Sequence, residues 1–418
     1  MPSFRSTALA CGLFMAGWAS GATGLDENVL RASLEGEANE ELSRLRDAGK
    51  EYDNPKIYDY VQGVLDRISG EKSDYHVFLI NSPAVIGYAL SNRHIVLSAG
   101  LVARLESEAQ LAMVLSHELA HIEKEHALAV KLNQIEREDS RSGGTFGSLL
   151  GRAGDLAVAT SAISSITGGD ASSVNRGVGT ANTANVAIES LESSMAAAGP
   201  EGLGKELEKE ADMKGVQLVK EAGYDVSAAI KSWEQLAKYS VNTDKRYLYG
   251  NPQALAERSK QTRKAAKKEK AGSGDGADSA SYCGEIFEVI RWMATQDLDA
   301  KRYAAAEESV ACALSADSDD PRSRYLNGRL LRDTARTTSN FREAIQEFQF
   351  VLEKIPDQAS THRELGYTYT DVKEYDKALQ HLKRYLDIKP EAEDAREVKT
   401  AIKAVTVLQR TNASQEDW

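Results

Sequence analysis

The sequence predicts an α+β domain, mostly helical around a small β-sheet, followed by an all-α repeat solenoid. Three observations carry this expectation. Apolar residues recur at helical spacing on both sides of one short β-rich stretch between His76 and Ser98. The last third of the chain repeats a pattern of small and large residues at a period of about 34 positions. Between these regions, Lys264 to Ser281 is charged and then rich in Gly, Ser and Asp, which reads as a flexible linker. At 418 residues the chain is too long for one ordinary core, so at least two domains are expected.

Composition narrows the class. A hydrophobic fraction of 42% with 27% charged residues is that of a soluble globular protein. A formal net charge of -12 argues against a nucleic-acid binder, which needs a basic face to meet phosphates. At the N-terminus, Arg5 precedes an apolar run from Thr7 to Ala19, and the small residues Ser20, Gly21 and Ala22 follow. This order predicts a secretory signal peptide over residues 1–22, cut near Ala19 or Ala22. Cys11 follows Ala8-Leu9-Ala10 but sits inside the apolar run, too early for a lipid-anchored cysteine, so no lipid anchor is expected there. No later segment holds about 18 uninterrupted apolar residues, so no transmembrane span is expected in the mature chain.

The first domain is expected over residues 26–263. Leu30, Leu34, Leu42 and Leu45 mark one helix, and Ile57, Val61, Val64, Leu65 and Ile68 mark a second, separated by Asn54-Pro55. His76 to Ile80 is rich in β-formers and is stopped by Asn81-Ser82-Pro83. Val85 to Leu90 and Ile95 to Ser98 read as two more short strands around a Ser91-Asn92-Arg93 turn. Leu101 to Leu132 reads as helical, with Ser107 and Gln110 forming a capping box at the start of its main helix. Residues 139–200 are dominated by Gly, Ser, Ala, Thr and Asn. They read as a mobile insertion or as a lid over a cleft. Leu203 to Ala222 is a helix ended by Gly223, and another helix covers Ser227 to Ser240.

Beyond the linker at 264–281, residues 282–392 carry about three units of the tetratricopeptide pattern. In the last unit Leu365-Gly366, Tyr369, Ala378, Leu382 and Pro390 fit the template. In the middle unit Gly328, Ala344, Phe348 and Pro356 fit, with extra residues near Thr337 to Asn340. In the first, Tyr303 and Ala306 fit. Residues 393–409 are expected to form a helix that covers the last unit's apolar face, leaving 410–418 as a tail. Cys283 would start one helix of the first unit and Cys312 would end its antiparallel partner, so the two stand at one level of the hairpin. In an exported chain they are a candidate disulfide.

The chemistry lies in His117-Glu118-Leu119-Ala120-His121. On a helix, positions i and i+4 share a face, so both imidazoles can bind one metal. Zinc accepts imidazole nitrogen readily, and three protein ligands leave its fourth position for water. Glu118 then stands beside that water as the general base. His126, five residues past His121, points off that face and is read as structural or exposed. The third ligand is sought on the helix carrying Glu206, Glu208, Glu210 and Asp212. Glu208 and Asp212 share a face, so one carboxylate can bind the metal while the other hydrogen-bonds a ligand histidine from behind. Spacing alone also permits a solvated acidic face, to which Glu206 and Glu210 can belong.

His117-Glu118-Leu119-Ala120-His121 followed by Glu208-Lys209-Glu210-Ala211-Asp212 resembles the HExxH and ExEAD pair of the HtpX/CAAX-protease-like zinc metallopeptidases. Leu97-Ser98-Ala99-Gly100-Leu101 resembles that family's segment before the metal-binding helix. The leader and the repeats make the chain similar to periplasmic members. The resemblance covers most of residues 26–392. It implies a zincin-like fold of the gluzincin type, one zinc ion per chain, Glu208 as third ligand and Asp212 as the residue behind a ligand histidine. It also implies polypeptide substrates and a role in quality control of outer-membrane proteins. The repeats are expected to hold a protein partner or substrate on their concave face, with the outer-membrane assembly machinery as the candidate partner. The chain departs from the family at Ile86-Gly87-Tyr88-Ala89 and Arg93-His94, where many members have Asn-Ala-Phe-Ala and Gly-Gly. Val85, Ile86, Gly87 and Tyr88 are the expected edge strand along which substrate backbone pairs. Asn251-Pro252 stands where many members have His-Pro, and Arg258 comes one position late; Arg258 is a candidate for transition-state stabilisation. Two functions are therefore expected in order: a zinc endopeptidase, and as the alternative a chaperone or adaptor with latent peptidase activity.

Overall fold

The computed structural model describes residues 26–70, 74–141, 204–239, 252–268 and 279–416. The predicted signal peptide, Cys11, Asn251 and nearly all of the 139–200 insertion lie outside the described residues. The chain divides into two compact units. One comprises residues up to Arg44 with Lys124–Lys205, and the other comprises Leu45–Glu123 with Glu206–Trp418.

In the first unit, α1 (Glu27–Asp47, through Arg44) and α5 (His126–Arg141) pack through Leu30, Leu128 and Ile135, with Leu34 and Leu132 alongside. Arg31 forks onto Glu125 at 2.8 and 2.9 Å. His126 is buried in this unit.

The second unit begins with α2 (Pro55–Ser69). Asn54 caps it by accepting from the Ile57 amide, and Pro55 occupies the first turn, where no amide donor is needed. Three strands follow: β1 (His76–Ile80), β2 (Gly87–Ala89) and β3 (His94–Ser98). Their order is β1-β3-β2, with β1 parallel to β3 and β2 antiparallel to it, so β2 is an edge. The expected strand Val85 to Leu90 shrinks to Gly87–Ala89. The reason is local: the Ser98 hydroxyl donates to the Ala84 carbonyl and accepts from the Ile86 amide, taking over backbone partners that a ladder would supply.

The single helical span expected from Leu101 to Leu132 is three helices: α3 (Ala99–Arg104), α4 (Glu108–Glu123) and α5. Ser107 accepts from the Gln110 amide, as expected of a cap. The Gln110 side chain returns to the amide of Glu106, one residue earlier than in a capping box. The second break falls before His126, where Glu125 takes a left-handed φ of 50°. α6 (Lys205–Glu221) ends as expected, with Gly223 at φ 80° and the Tyr224 amide reaching back to the Val219 carbonyl. The helix expected over Ser227 to Ser240 is split into α7 (Val226–Ala229) and α8 (Ser232–Tyr239).

α9 (Pro252–Lys268) continues into the expected linker, so residues 264–268 are helical. After it come α10 (Ser279–Glu285), α11 (Phe287–Asp299), α12 (Tyr303–Ala316), α13 (Pro321–Thr334), α14 (Thr338–Lys354), α15 (Ala359–Asp371), α16 (Tyr375–Ile388) and α17 (Ala395–Glu416). The last helix runs through most of the tail expected at 410–418. Helix pairs α13/α14 and α15/α16 repeat one packing arrangement. Gly328 lies under the Phe348 ring and Gly366 under Leu382, each so close that a Cβ would sit 2.5 Å from the facing side chain. Ala344 and Ala378 are fully buried beside them. Cys283 and Cys312 are joined by a disulfide, with Cα atoms 5.5 Å apart, linking α10 to α12. Among the described residues no helix is long and apolar enough to cross a membrane.

Candidate metal centre

The centre is built where α6 lies against α4. Gly215 makes that approach possible: a Cβ there would come within 3.2 Å of the His117 backbone nitrogen and of the Met113 methyl. α4 is buried along most of its length, from Ala109 to His121. Its two histidines, one turn apart, therefore project into protein rather than solvent, with Nε2 atoms 2.9 Å apart. Glu208, in the first turn of α6, brings its carboxylate 3.4 Å from Nε2 of His117 and 3.8 Å from Nε2 of His121. One ligand atom from each of the three residues lies within 4.8 Å of the others, and among the described residues no other group of His, Cys, Asp or Glu converges this way.

The donor set fits a zinc ion. Two imidazoles and a carboxylate on two helices are a known catalytic ligand set. Among the described residues the buried Glu208 oxygens make no hydrogen bond of normal geometry, and their contact to the Arg258 guanidinium is a long 3.8 Å, so the carboxylate keeps lone pairs for a metal ion. Burial alone would raise its carboxyl pKa. The His117 ring outweighs that, with Arg258 and His121 adding to it, and holds the carboxyl at about 2. For His117 itself, burial and the Arg258 guanidinium disfavour the charged ring, but Asp212 and Glu208 outweigh both and raise it.

Asp212, one turn after Glu208 and 1% exposed, sits 3.1 Å from Nδ1 of His117. That contact orients the ring and leaves Nε2 to face Glu208 and His121. Glu206 and Glu210 are exposed on the other side of α6. Glu118 is buried beside the histidines, 2% exposed, and is not one of the converging donors. Arg258, on α9, is 5% exposed and donates to Asp212 from both Nε and Nη2, at 3.2 and 3.0 Å. Its Nη2 also lies 2.9 and 2.8 Å from Nδ1 and Nε2 of His117. Its Nη1 lies 3.8 Å from a Glu208 oxygen, so the guanidinium touches Asp212, His117 and Glu208 together. Val85, Ile86 and Tyr88 are buried. Only Gly87 and Tyr88 of the expected substrate strand belong to β2.

Sequence reasoning missed Trp233. Its ring, fully buried on α8, carries the Arg258 guanidinium 3.8 Å from its centroid and meets the His117 ring edge-on at 5.4 Å. In sequence it is one apolar residue among Ile230, Trp233 and Leu236, indistinguishable from a core anchor. Glu108 was missed too. At the first turn of α4 it accepts from the hydroxyls of Tyr60 and Tyr224, at 2.9 and 2.8 Å, which anchors the metal-binding helix at its start.

A buried HExxH helix whose two imidazoles meet a carboxylate from a second helix defines a metallopeptidase. A sequence model of Peptidase family M48 matches residues 51–308, and the chain belongs to that family. It is similar to the putative beta-barrel assembly-enhancing protease of Vibrio cholerae serotype O1, 23% identical over 202 residues, or 47% of this chain and 36% of the relative. It is also similar to the beta-barrel assembly-enhancing proteases of Escherichia coli strain K12, 24% identical over 208 residues, and of Yersinia pestis, 24% identical over 221 residues. Each of those matches covers 48% of this chain and 37% of the relative. The chain therefore spans little more than a third of the length of the curated relatives it matches.

Proposed function

We propose that this protein is a zinc-dependent endopeptidase that hydrolyses misfolded or unassembled envelope proteins, in the quality control of outer-membrane proteins. The convergence of His117, His121 and Glu208 beside a buried Glu118 is the observation that carries the reading. His117, His121 and Glu208 would hold a zinc ion, which would supply Lewis acidity to the scissile carbonyl and to a water nucleophile. Glu118 accepts the proton of the attacking water and passes it to the leaving amine nitrogen as the C–N bond breaks. Asp212, held by Arg258, keeps the His117 ring in its ligand orientation. The edge strand β2 offers backbone groups to an extended substrate, a mode that tolerates many sequences.

The relatives' names speak of beta-barrel assembly, which supports an envelope substrate, and the leader pattern supports a periplasmic location. The paired helices from Cys283 onward are read as tetratricopeptide units whose concave face holds a protein partner, with the outer-membrane assembly machinery as the candidate. The test is metal analysis with a casein-type cleavage assay on the wild type and on Glu118→Gln. The wild type is expected to hold about one zinc per chain and to cut. The variant is expected to hold zinc and lose cleavage. A wild type that keeps zinc but cuts nothing supports the chaperone or adaptor function instead, and cleavage indifferent to chelators refutes the zinc enzyme.

A further inference from the structure

The helical C-terminal region holds a second pair of converging imidazoles. His362 on α15 and His381 on α16 face each other with Nδ1 atoms 2.8 Å apart. Nε2 of His362 lies 2.9 Å from the Pro356 carbonyl oxygen. A carbonyl can only accept, so Nε2 donates to it, and the neutral tautomer compatible with that contact has its lone pair on Nδ1. His381 is stacked flat on Tyr369, 5.5 Å between centroids and 15° between planes, which fixes its ring plane. Burial, then the neighbouring His362 and Lys377, push its pKa down to about 4. Both rings line one cavity of about 420 Å³, shared with Gln380, Lys383, Arg384 and Asp387.

We propose that His362 and His381 form a second transition-metal site, which takes a divalent ion such as Zn²⁺ through the two Nδ1 atoms, the proton on Nδ1 of His381 moving by way of solvent to Nε2 of the same ring, and which opens onto the cavity for water or a carboxylate. The His117 and His121 nitrogens that define the first site stand 2.9 Å apart, nearly the same spacing. Two nitrogens each about 2.0–2.1 Å from zinc stand about 3.3 Å apart at a tetrahedral angle, so the pair needs to open only slightly. The hydrogen bond from the far nitrogen of His362 to a backbone carbonyl is the outer support that metal-binding histidines commonly have. Asp387 is the cavity's own candidate for a third donor. Lys383 and Lys377 oppose the ion's charge, while Arg384 is engaged by Asp357 at 2.5 Å. Among the described residues no third donor converges on this pair as Glu208 does at the first site, so binding here is the weaker of the two.

The full chain, stripped by chelator and titrated calorimetrically with Zn²⁺ alone, tests this. The wild type is expected to show two classes of site, one tight and one weak. His121→Phe is expected to lose the tight class and keep the weak one. His362→Gln and His381→Gln are each expected to lose the weak class while keeping the tight class and casein cleavage; the retained tight class also shows that the variant has folded. His76→Gln, at the other close pair of rings with His94 (5.1 Å), is expected to change neither class. A single class in the wild type overturns the proposal. So does a His381→Gln isotherm that matches the wild type, or loss of the weak class in His76→Gln instead. In those cases His362 and His381 are a hydrogen-bonded pair only.

Discussion

At the scale of single residues, the metal centre depends on one ring being held in one orientation. His117 cannot turn without breaking its 3.1 Å contact to Asp212, and Asp212 is itself fixed by the fork of Arg258. Arg258 is in turn flattened on Trp233. Asp212→Asn keeps the shape of this support but removes its charge, so the imidazole is a poorer donor and is less firmly oriented. Zinc affinity is expected to fall by about 10- to 100-fold, read by competition with a chromogenic chelator. An unchanged affinity would mean that the carboxylate merely fills space. Trp233→Ala removes a fully buried ring and is expected to cost about 3–5 kcal/mol, read by chemical denaturation. Trp233→Phe restores most of that volume with a smaller π-face under Arg258, so it is expected to recover much of the stability. Zinc affinity that tracks the aromatic face rather than the stability would mark the ring as part of the metal support.

At the scale of elements, glycines show how differently the helices are used. Gly63 lies on the exposed face of α2, where an added Cβ meets nothing within 4 Å. Gly63→Ala is therefore expected to stabilise by about 0.5–1 kcal/mol, because the unfolded chain loses freedom and no contact is disturbed. Gly366 lies at the crossing of α15 and α16, where the same Cβ would sit 2.5 Å from Leu382. Gly366→Ala is expected to destabilise by about 1–3 kcal/mol. A rise in the thermal midpoint for Gly63→Ala with a fall for Gly366→Ala would bear out both; a Gly366→Ala midpoint that does not fall would refute the crossing, and a Gly63→Ala midpoint that falls would refute the exposed-face expectation. Local signals were legible in the sequence wherever one residue type satisfies a helix end. Asn54-Pro55 before α2, Ser107 before α4 and Gly223 after α6 all behave as read. The HExxH spacing was legible because i and i+4 share a face whatever surrounds them. The split between α7 and α8, the break before α5 and the parallel pairing of β1 with β3 were not legible. Each is decided by partners distant in sequence or by a backbone conformation, as at Glu125, that its residue type does not favour.

At the scale of the whole second unit, the helices after residue 278 are not an appendage to the metal-binding core. Tyr282, Ile286, Val289, Ile290 and Met293 belong to the same apolar cluster as Leu101, Val102 and the α4 residues. The Tyr282 hydroxyl donates to the Val102 carbonyl at 2.8 Å. The match to the family, which extends to residue 308, is consistent with this continuity. The polar fastening is Arg104, at the end of α3, whose Nη2 donates to both oxygens of Asp297 on α11 at 2.7 Å, with neither side chain reaching solvent appreciably. Arg302 adds a 2.9 Å bond to the same carboxylate, and Tyr239 lies 4.2 Å under the Arg104 guanidinium. A buried pair of this kind stabilises little compared with well-packed apolar residues, but removing one member strands the other charge away from water. Asp297→Ala is therefore expected to cost about 3–5 kcal/mol, whereas the double variant Arg104→Met with Asp297→Leu is expected to cost far less, by chemical denaturation of the full chain. The single variants Arg104→Met and Asp297→Leu complete the cycle, and strict additivity of these two in the double variant would show that the ion pair does not couple the helices across this junction. A large loss in Asp297→Ala, recovered in the double variant, would show that the metal-binding core and the first C-terminal helices unfold as one body.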